Sequence, residues 1–585
     1  MLVLFGSETG TAEDVAESLW REARARGVDV RLSAFDEIDV QALPCETVVL
    51  FVVATSGQGE FPPNARDNWK AMLRKSLSRE WMEGVRVGVI GLGDSSYQKY
   101  NFAGKKLYRR LLQLGAQPLL PVCLCDDQHE SGIDGALLPW NEKLWPELAT
   151  IFQGMYLNVD PTRLSPPKYL LEYGSPSGDA VDAPAAKGAL VRVTVLSNER
   201  VTAQNHFQDT RLIAFATGSR TELSFQPGDV LMVHPHNPSE TVSIALAAVQ
   251  YPDEVLDRPF RAKPSDPGVR PLPADVLGRD TVTLRHCFSV LFDLQQRPRR
   301  SFFELLGAIS DDEMEKEKLL ELASAAGQDD LIDYVTRTRR TVAETLRDFS
   351  RTATRIPVER LFDLLPRIRP RAFSIASCPR TQEGRIEILI AKVEYRTARM
   401  AEPRRGLCST YLSRLKEGDE VLVRTRPGTF RFPSDAQRSI VAVGPGTGVA
   451  PFRSLFWNRH QSNSPSGSQL FFGCRGKERD FYFAKEWPLV RGVTVHTAFS
   501  RDAERQNGHR RYVQHVMEER AEECVFHRTS NGFPPGLVFV AGSSGDMPKA
   551  VAAALDKIAL ERGGLQDSWS DQLEKEGRLQ YETWS

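Results

Sequence analysis

MLVLFGSETGTA, residues 1–12, reads as a short buried strand over 2–5 that breaks into small hydroxyl and glycine residues and passes at once into a helix. At such a junction backbone N–H groups and Ser/Thr hydroxyls can wrap a phosphate at the helix N-terminus. The loop is Ser7, Glu8, Thr9, Gly10, Thr11 and Ala12. It carries no lysine or arginine, which suits a monoester phosphate held by neutral donors. The competing reading of the loop alone is a plain strand-to-helix turn with an N-cap. A second junction of different build, GPGTGVAPF at 444–452, follows an apolar strand over 440–443.

Outward from the first loop, residues 1–155 alternate helical stretches with short apolar strands, expected over 2–5, 47–53, 85–91 and 118–124. That rhythm predicts a parallel sheet covered on both faces, with ligands beyond the carboxyl ends of its strands. Residues 156–187, rich in Pro, Ser, Gly, Ala and Asp, read as a linker. Over 188–436 the β-branched alternating segments LVRVTVL, RIEILIAKV and EVLVRT predict antiparallel barrel strands. Helix formers interrupt them, so a helical insertion is expected over about 287–355. From 437 to 585 strand–helix alternation returns with SIVAVG, SQLFFG, VTVHTAF and GLVFVAG.

A chain of 585 residues holds roughly three or four domains. The formal net charge of −1 argues against a nucleic-acid binder. Residues 1–160 carry 22 acidic and 16 basic side chains, which leaves the remainder at +5. An acidic first segment is either a solvated surface or a docking face for a basic partner. MLVLF is too short for a secretory signal, and no apolar run reaches the length of a membrane span, so a cytoplasmic location is expected. The eight cysteines contain no CxxC pair, which indicates neither a zinc site nor a disulfide framework. Cys123 and Cys125 are expected on opposite faces of one strand.

Two further loops bear on the first site: ATSGQGEFPPNA at 54–65 and GLGDSSYQKYN at 91–101. Their glycines permit close approach to a flat ring, and Tyr97 offers a stacking face, although alone it reads as an ordinary loop aromatic. Together the three loops resemble the flavodoxin-like FMN domain of the diflavin reductases. The resemblance implies that residues 7–12 hold the FMN phosphate. It places Thr55, Ser56, Gly57, Gly93, Tyr97 and Asn101 around the isoalloxazine, with Asp127 of CDDQH as a further contact. Ser56 stands where relatives often carry a second stacking aromatic, which leaves one ring face less covered.

RAFSIAS at 371–377 lies on an expected barrel strand, and GLCSTYL at 406–412 opens a helix. Arg371 can set a guanidinium on a pyrophosphate, with Ala372, Phe373 and Ser374 against a flavin. Gly406, Leu407, Cys408 and Ser409 would hold the same pyrophosphate at a helix N-terminus. A surface ion-pair role is the alternative for Arg371. The order and spacing resemble the FAD module of the ferredoxin–NADP reductase superfamily. The segment that contains Gly446 and Thr447 provides glycine flexibility and helix-terminal amides for a dinucleotide pyrophosphate. Ser500, Arg501, Arg510 and Tyr512 can clamp a dianionic 2′-phosphate, favouring NADPH over NADH, with a solvated basic loop as the plainer reading.

The expected fold class is therefore α/β. An N-terminal flavodoxin-like doubly wound sheet precedes a ferredoxin–NADP reductase-like module. That module comprises an antiparallel β-barrel FAD domain with an inserted helical lobe and an α/β NADPH-binding domain. The resemblance covers nearly the whole chain and implies electron flow from NADPH to FAD to FMN to a one-electron acceptor protein. It also makes Ser374, Glu582 and Trp584 the expected catalytic residues, Trp584 by stacking on the FAD ring and swinging away; a hydrophobic plug is the plainer reading of that tryptophan. Some relatives set a Ser/Cys/Asp trio there. Here the cysteine position falls on Ala541, Glu582 stands in place of the aspartate, and Phe373 replaces a common tyrosine, so hydride transfer is expected to be slower or differently tuned.

With no membrane anchor or calmodulin-binding helix and only a short linker, the chain looks most like the soluble branch that serves cytosolic iron–sulfur protein assembly. The partner this implies is anamorsin, docking on the FMN domain of a monomer. A soluble cytochrome reductase, the flavoprotein subunit of sulfite reductase and a flavin-stabilised interaction scaffold are the alternatives.

Overall fold

The computed structural model describes residues 1–584 other than 98, 161–162, 175–188, 219–222, 267–268, 279–280, 399, 401–402, 436–437, 462–466, 503–509, 525–535 and 564–567. The chain falls into two units. One comprises Met1–Val181, His236–Arg369 and Arg396–Glu402; the other comprises Asp182–Pro235, Pro370–Tyr395 and Pro403–Ser585.

The first unit begins with a parallel sheet of β1 (Leu2–Gly6), β2 (Arg31–Ala34), β3 (Val48–Ala54), β4 (Arg86–Gly93), β5 (Gln117–Pro118) and β6 (Cys123–Asp126). The order is β2-β1-β3-β4-β5, with β6 also pairing β4. This is the flavodoxin order, which places a ligand where strand order reverses, between β1 and β3. Helices α1 (Thr11–Ala25) and α4 (Asp134–Ile151) cover one face, burying Val15, Leu19, Leu144 and Leu148. Helices α2 (Pro63–Met72) and α3 (Phe102–Gln113) cover the other through Ala65, Met72, Leu107 and Leu111. β3, VVLFVVA, is apolar throughout because both of its faces are covered.

Three expectations for this fold change. β2 lies outside the expected strands; it is a four-residue edge strand of alternating burial, RLSA, too short and too polar to stand out in the sequence. The strand expected over 118–124 is two pieces, pairing β4 at Gln117–Pro118 and again from Cys123. Pro121 lies in the break, where it has no N–H to give to a ladder. Cys123 and Cys125 share one face, with Sγ atoms 3.6 Å apart in one core, because strand side chains repeat every two residues.

The rest of the first unit is helical between Ser239 and Leu364, wider than the insertion expected over 287–355. Within it, Arg300–Ile309 packs on Glu313–Ala323, the latter capped by the Asp312 side chain. A strand at Phe260–Pro264 pairs antiparallel with Tyr169–Tyr173. That strand lies inside the stretch read as a linker, whose residues 175–187 fall outside the described residues.

In the second unit, Arg371–Ser374, Val230–His234, Glu420–Arg426, Val191–Arg200, Thr210–Ala216 and Arg385–Ala391 form an antiparallel sheet in that order. A bridge between Ile375 and Ile388 links its two ends, around a core of Val193, Ile213, Leu231 and Val423. The last part is a parallel sheet in the order 493–499, 468–474, 440–443, 537–543, 579–584. Among the described residues, no helix is long and apolar enough to cross a membrane.

Candidate functional site

The first loop is set by β1 and α1. Gly10 takes φ 97° as the residue before the helix, a left-handed conformation that favours glycine, and its N–H donates to Ser7 Oγ at 3.0 Å. Ser7 N–H donates to Asn64 Oδ1 at 2.9 Å, which ties the loop to the start of α2. Glu13 and Asp14 occupy the first turn of α1. The loop after β3 is pinned by reciprocal bonds between the Ser56 and Glu60 backbones and by Thr55 N–H to Leu92 O, all at 2.9 Å. Gly57, at φ 48°, lies in this turn, and Ala103 N–H donates to Thr55 Oγ1 at 3.4 Å.

In the third loop Tyr97 is half-buried. Asn101 is fully buried at φ 56°, and its Nδ2 donates to Cys125 O at 2.8 Å. It therefore clamps the loop to β6, and a Cβ on Gly93 would stand 2.9 Å from its backbone nitrogen. Asp127 N–H donates to Gly93 O at 2.9 Å, joining the third and fourth loops. Asp126, missed from sequence, reinforces the junction by accepting from Ser95 N–H at 2.9 Å and Gln128 N–H at 3.0 Å.

Two arginines that local sequence does not reveal also reach the first loop, Arg299 from the helical part of the same unit and Arg369 from the segment after Leu364. Arg299 donates to Gly10 O at 3.3 Å and to Thr11 Oγ1 at 3.0 Å, and lies 3.4 Å from Asp14. Arg369 pairs with Glu13, its Nε 3.6 Å from where a Cβ on Gly10 would lie. Almost 300 residues separate Arg299 from the loop, so only the fold brings them together.

In the second unit Arg371 and Phe373 share one face of their strand, and Ala372 and Ser374 the other, by the strand period. Ser374 Oγ donates to Glu582 Oε1 at 2.6 Å, and Thr429 Oγ1 donates to Glu582 Oε2 at 2.9 Å. Burial pushes the Glu582 carboxyl above its ordinary range, against the pull of those two hydroxyls. In the strand register Ala541 stands beside Glu582 and Ser543 beside Trp584. Glu582 therefore has Ser374 as its hydrogen-bond partner and Ala541 as its strand neighbour.

Gly406 precedes the helix Leu407–Arg414, and Ser409 Oγ accepts from Val393 N–H at 3.0 Å and donates to Gly406 O at 3.3 Å. Burial pushes the Cys408 thiol up to about 12, so it stays protonated. Gly446, at φ 58°, opens a 3₁₀ turn over Gly446–Val449 before the helix Ala450–His460. A Cβ on Gly448 would fall 2.1 Å from Ala541 O, so only glycine fits there.

A cavity of about 830 Å³ brings Gly446, Thr447, Ser500, Tyr512, Asp546 and Trp584 together. Trp584 is 38 % exposed and Tyr512 40 %. Arg501 and Arg510 are exposed at either end of 503–509, which lie outside the described residues. The same cavity holds His206, Thr210 and Asp480, which the sequence reading missed. Asp480 accepts from the backbone N–H groups of Arg475 and Gly476, and Tyr482 donates to Thr210 Oγ1 at 2.9 Å.

Each nucleotide group fits the residues present. The first loop offers a left-handed glycine and hydroxyls at a helix start, and the second unit offers two helix starts with glycine where a Cβ would collide. Among the described residues no group of three or more His, Cys, Asp or Glu could hold a metal ion.

The comparisons with known proteins agree with this geometry. A flavodoxin family model matches residues 3–140, an FAD binding domain model 183–411, and an oxidoreductase NAD-binding domain model 442–552. Proteins named NADPH-dependent diflavin oxidoreductase 1 match along the entire chain. That of Xenopus laevis is 42% identical and that of Bos taurus 41%, each with 99% of its own length covered. That of Candida albicans is 35% identical over the same share.

Proposed function

Because the chain belongs to the NADPH-dependent diflavin oxidoreductases, whose cofactors are FMN, FAD and NADPH, we propose that it reduces a one-electron acceptor protein, the iron–sulfur protein anamorsin, in cytoplasmic iron–sulfur cluster assembly. When bound, FAD accepts a hydride and FMN releases electrons singly; the chain supplies binding, order and exclusion of water. Residues 7–12 hold the FMN phosphate through backbone N–H groups and hydroxyls. Thr55, Ser56, Gly57, Gly93, Tyr97 and Asp127 shape the place of its ring, and Asn101 holds their loop in position. Arg371 and the helix start at Gly406–Ser409 take the FAD pyrophosphate, and Phe373 and Ser374 its ring. Gly446 and Thr447 take the NADPH pyrophosphate. Ser500, Arg501, Arg510 and Tyr512 take its 2′-phosphate, which fits two guanidiniums better than a ribose hydroxyl would.

One observation carries this reading. Trp584 forms a wall of the cavity that contains Thr447, Ser500 and Tyr512, while Glu582, two residues earlier on the same strand, holds Ser374 by its hydroxyl. An aromatic lid and the carboxylate that orients a hydroxyl thus stand on one short strand. In this role Glu582 is a positioning residue: it fixes the rotamer of Ser374 and keeps its proton directed.

The acidic balance of residues 1–160 supports an acceptor protein that docks there through a basic face. Mixing the purified protein with NADPH and oxidised anamorsin under anaerobic conditions tests it. Bleaching of the iron–sulfur absorbance at catalytic enzyme concentration is expected. Steady reduction of ferricyanide with none of anamorsin would contradict the assignment.

A further inference from the structure

The phosphate loop has no cation of its own, yet Glu13 and Asp14 stand in the first turn of α1, beside the place where the proposed phosphate would bind. A dianion held there only by hydroxyls and amides would face two carboxylates at close range. The helical part of the same unit answers this charge. Arg299 reaches Thr11 Oγ1 and Gly10 O while pairing with Asp14, and Arg369 pairs with Glu13 beside Gly10. Ser301 Oγ donates to Asp14 Oδ1 at 3.1 Å, which holds that carboxylate on the Arg299 side. Arg297 and Arg367 line the same cavity as Thr9 and Gly10.

We propose that Arg299, supported by Arg369, is the cationic partner of the FMN phosphate, supplied to the flavodoxin-like fold by the helical insertion, and that it sets the preference for FMN over riboflavin. A guanidinium that already touches the hydroxyl of the phosphate loop lies within reach of a bound phosphate oxygen, and its planar fork suits phosphate bidentately. Its neutralisation of Asp14 lowers the repulsion that a dianion would meet. The consequence is reciprocal: phosphate binding favours seating of the helical part on α1, and that seating tightens retention of FMN.

The inference rests on the reading of residues 7–12 as the phosphate loop, and one titration separates the two. Full-length protein stripped of FMN is titrated with FMN and with riboflavin, following quenching of flavin fluorescence. If the loop reading holds, the unaltered protein binds FMN far more tightly than riboflavin; equal affinities would overturn that reading and leave no phosphate for Arg299 to meet. If Arg299 acts as proposed, Arg299→Gln weakens FMN about tenfold, as loss of one charge-assisted bond implies, while riboflavin affinity stays within twofold. Arg299→Lys restores part of the loss, Arg369→Gln gives a smaller one, and FAD content is unchanged in each. A residue that only braces α1 would weaken both ligands together. An unchanged FMN-to-riboflavin ratio in both Arg299→Gln and Arg369→Gln would overturn the proposal.

Discussion

Glu582 holds two hydroxyls at once, those of Ser374 and Thr429, from a half-buried position. With Ala541 beside it in the register, no thiol shares the work at that point, so orientation of Ser374 depends on this carboxylate. Glu582→Gln keeps an acceptor but loses its charge, and hydride transfer should slow by about tenfold to a hundredfold in stopped-flow oxidation of NADPH. Ser374→Ala should slow it to a similar extent, and the double variant little further, because the pair acts as one unit. Glu582→Asp should recover part of the rate. Multiplicative losses at unchanged FAD content would show that the two residues act separately. At the 2′-phosphate, Arg501→Ala with Arg510→Ala should raise KM for NADPH by at least tenfold and leave that for NADH nearly unchanged. Equal losses for both nucleotides would contradict the assignment. Each of these residues lies in a short motif, which marks it as a candidate in the sequence. Asp480 and His206 were not legible, since nothing near them in sequence marks the cavity they join.

At the scale of elements, α1 follows the phosphate loop and carries a half-buried carboxyl, Glu22. Burial, with Glu304 facing it, pushes Glu22 up to about 7 from an ordinary 4.5, against the nearby Arg26 and Arg21. Between those values the folded chain keeps a proton that the unfolded chain has released, so stability falls as pH rises from about 4.5 to about 7. Glu22→Gln should match the parent in thermal unfolding near pH 4.5 and exceed its Tm increasingly towards pH 8. Parallel curves across that range would refute the role given to Glu22. The elements show where sequence reading stops. Long apolar strands such as β3 and β4 declare themselves, because both faces are buried. β2 and Tyr169–Tyr173 are short and lie where polar or linker-like residues surround them. The break after Pro118 depends on Pro121, whose effect on a ladder is local and easily read through.

For the whole molecule, the order of motifs along the chain was enough to arrange a flavodoxin-like sheet, an antiparallel sheet and a second parallel sheet, because each has its own period and turn chemistry. Which distant residues meet was not legible. The helical segment shares a unit with the flavodoxin-like sheet, and the only trace of this in sequence is an unremarkable RPRR at 297–300. In the proposed function the chain is a converter that takes electrons in pairs at the second unit and delivers them singly from the first. Selective removal of FMN from the full-length protein tests that claim most directly, with NADPH oxidation followed first against ferricyanide and then against a one-electron acceptor protein. Ferricyanide reduction should persist, while protein reduction should fall below about a tenth and return when FMN is restored. Protein reduction at the full rate without FMN would contradict the account.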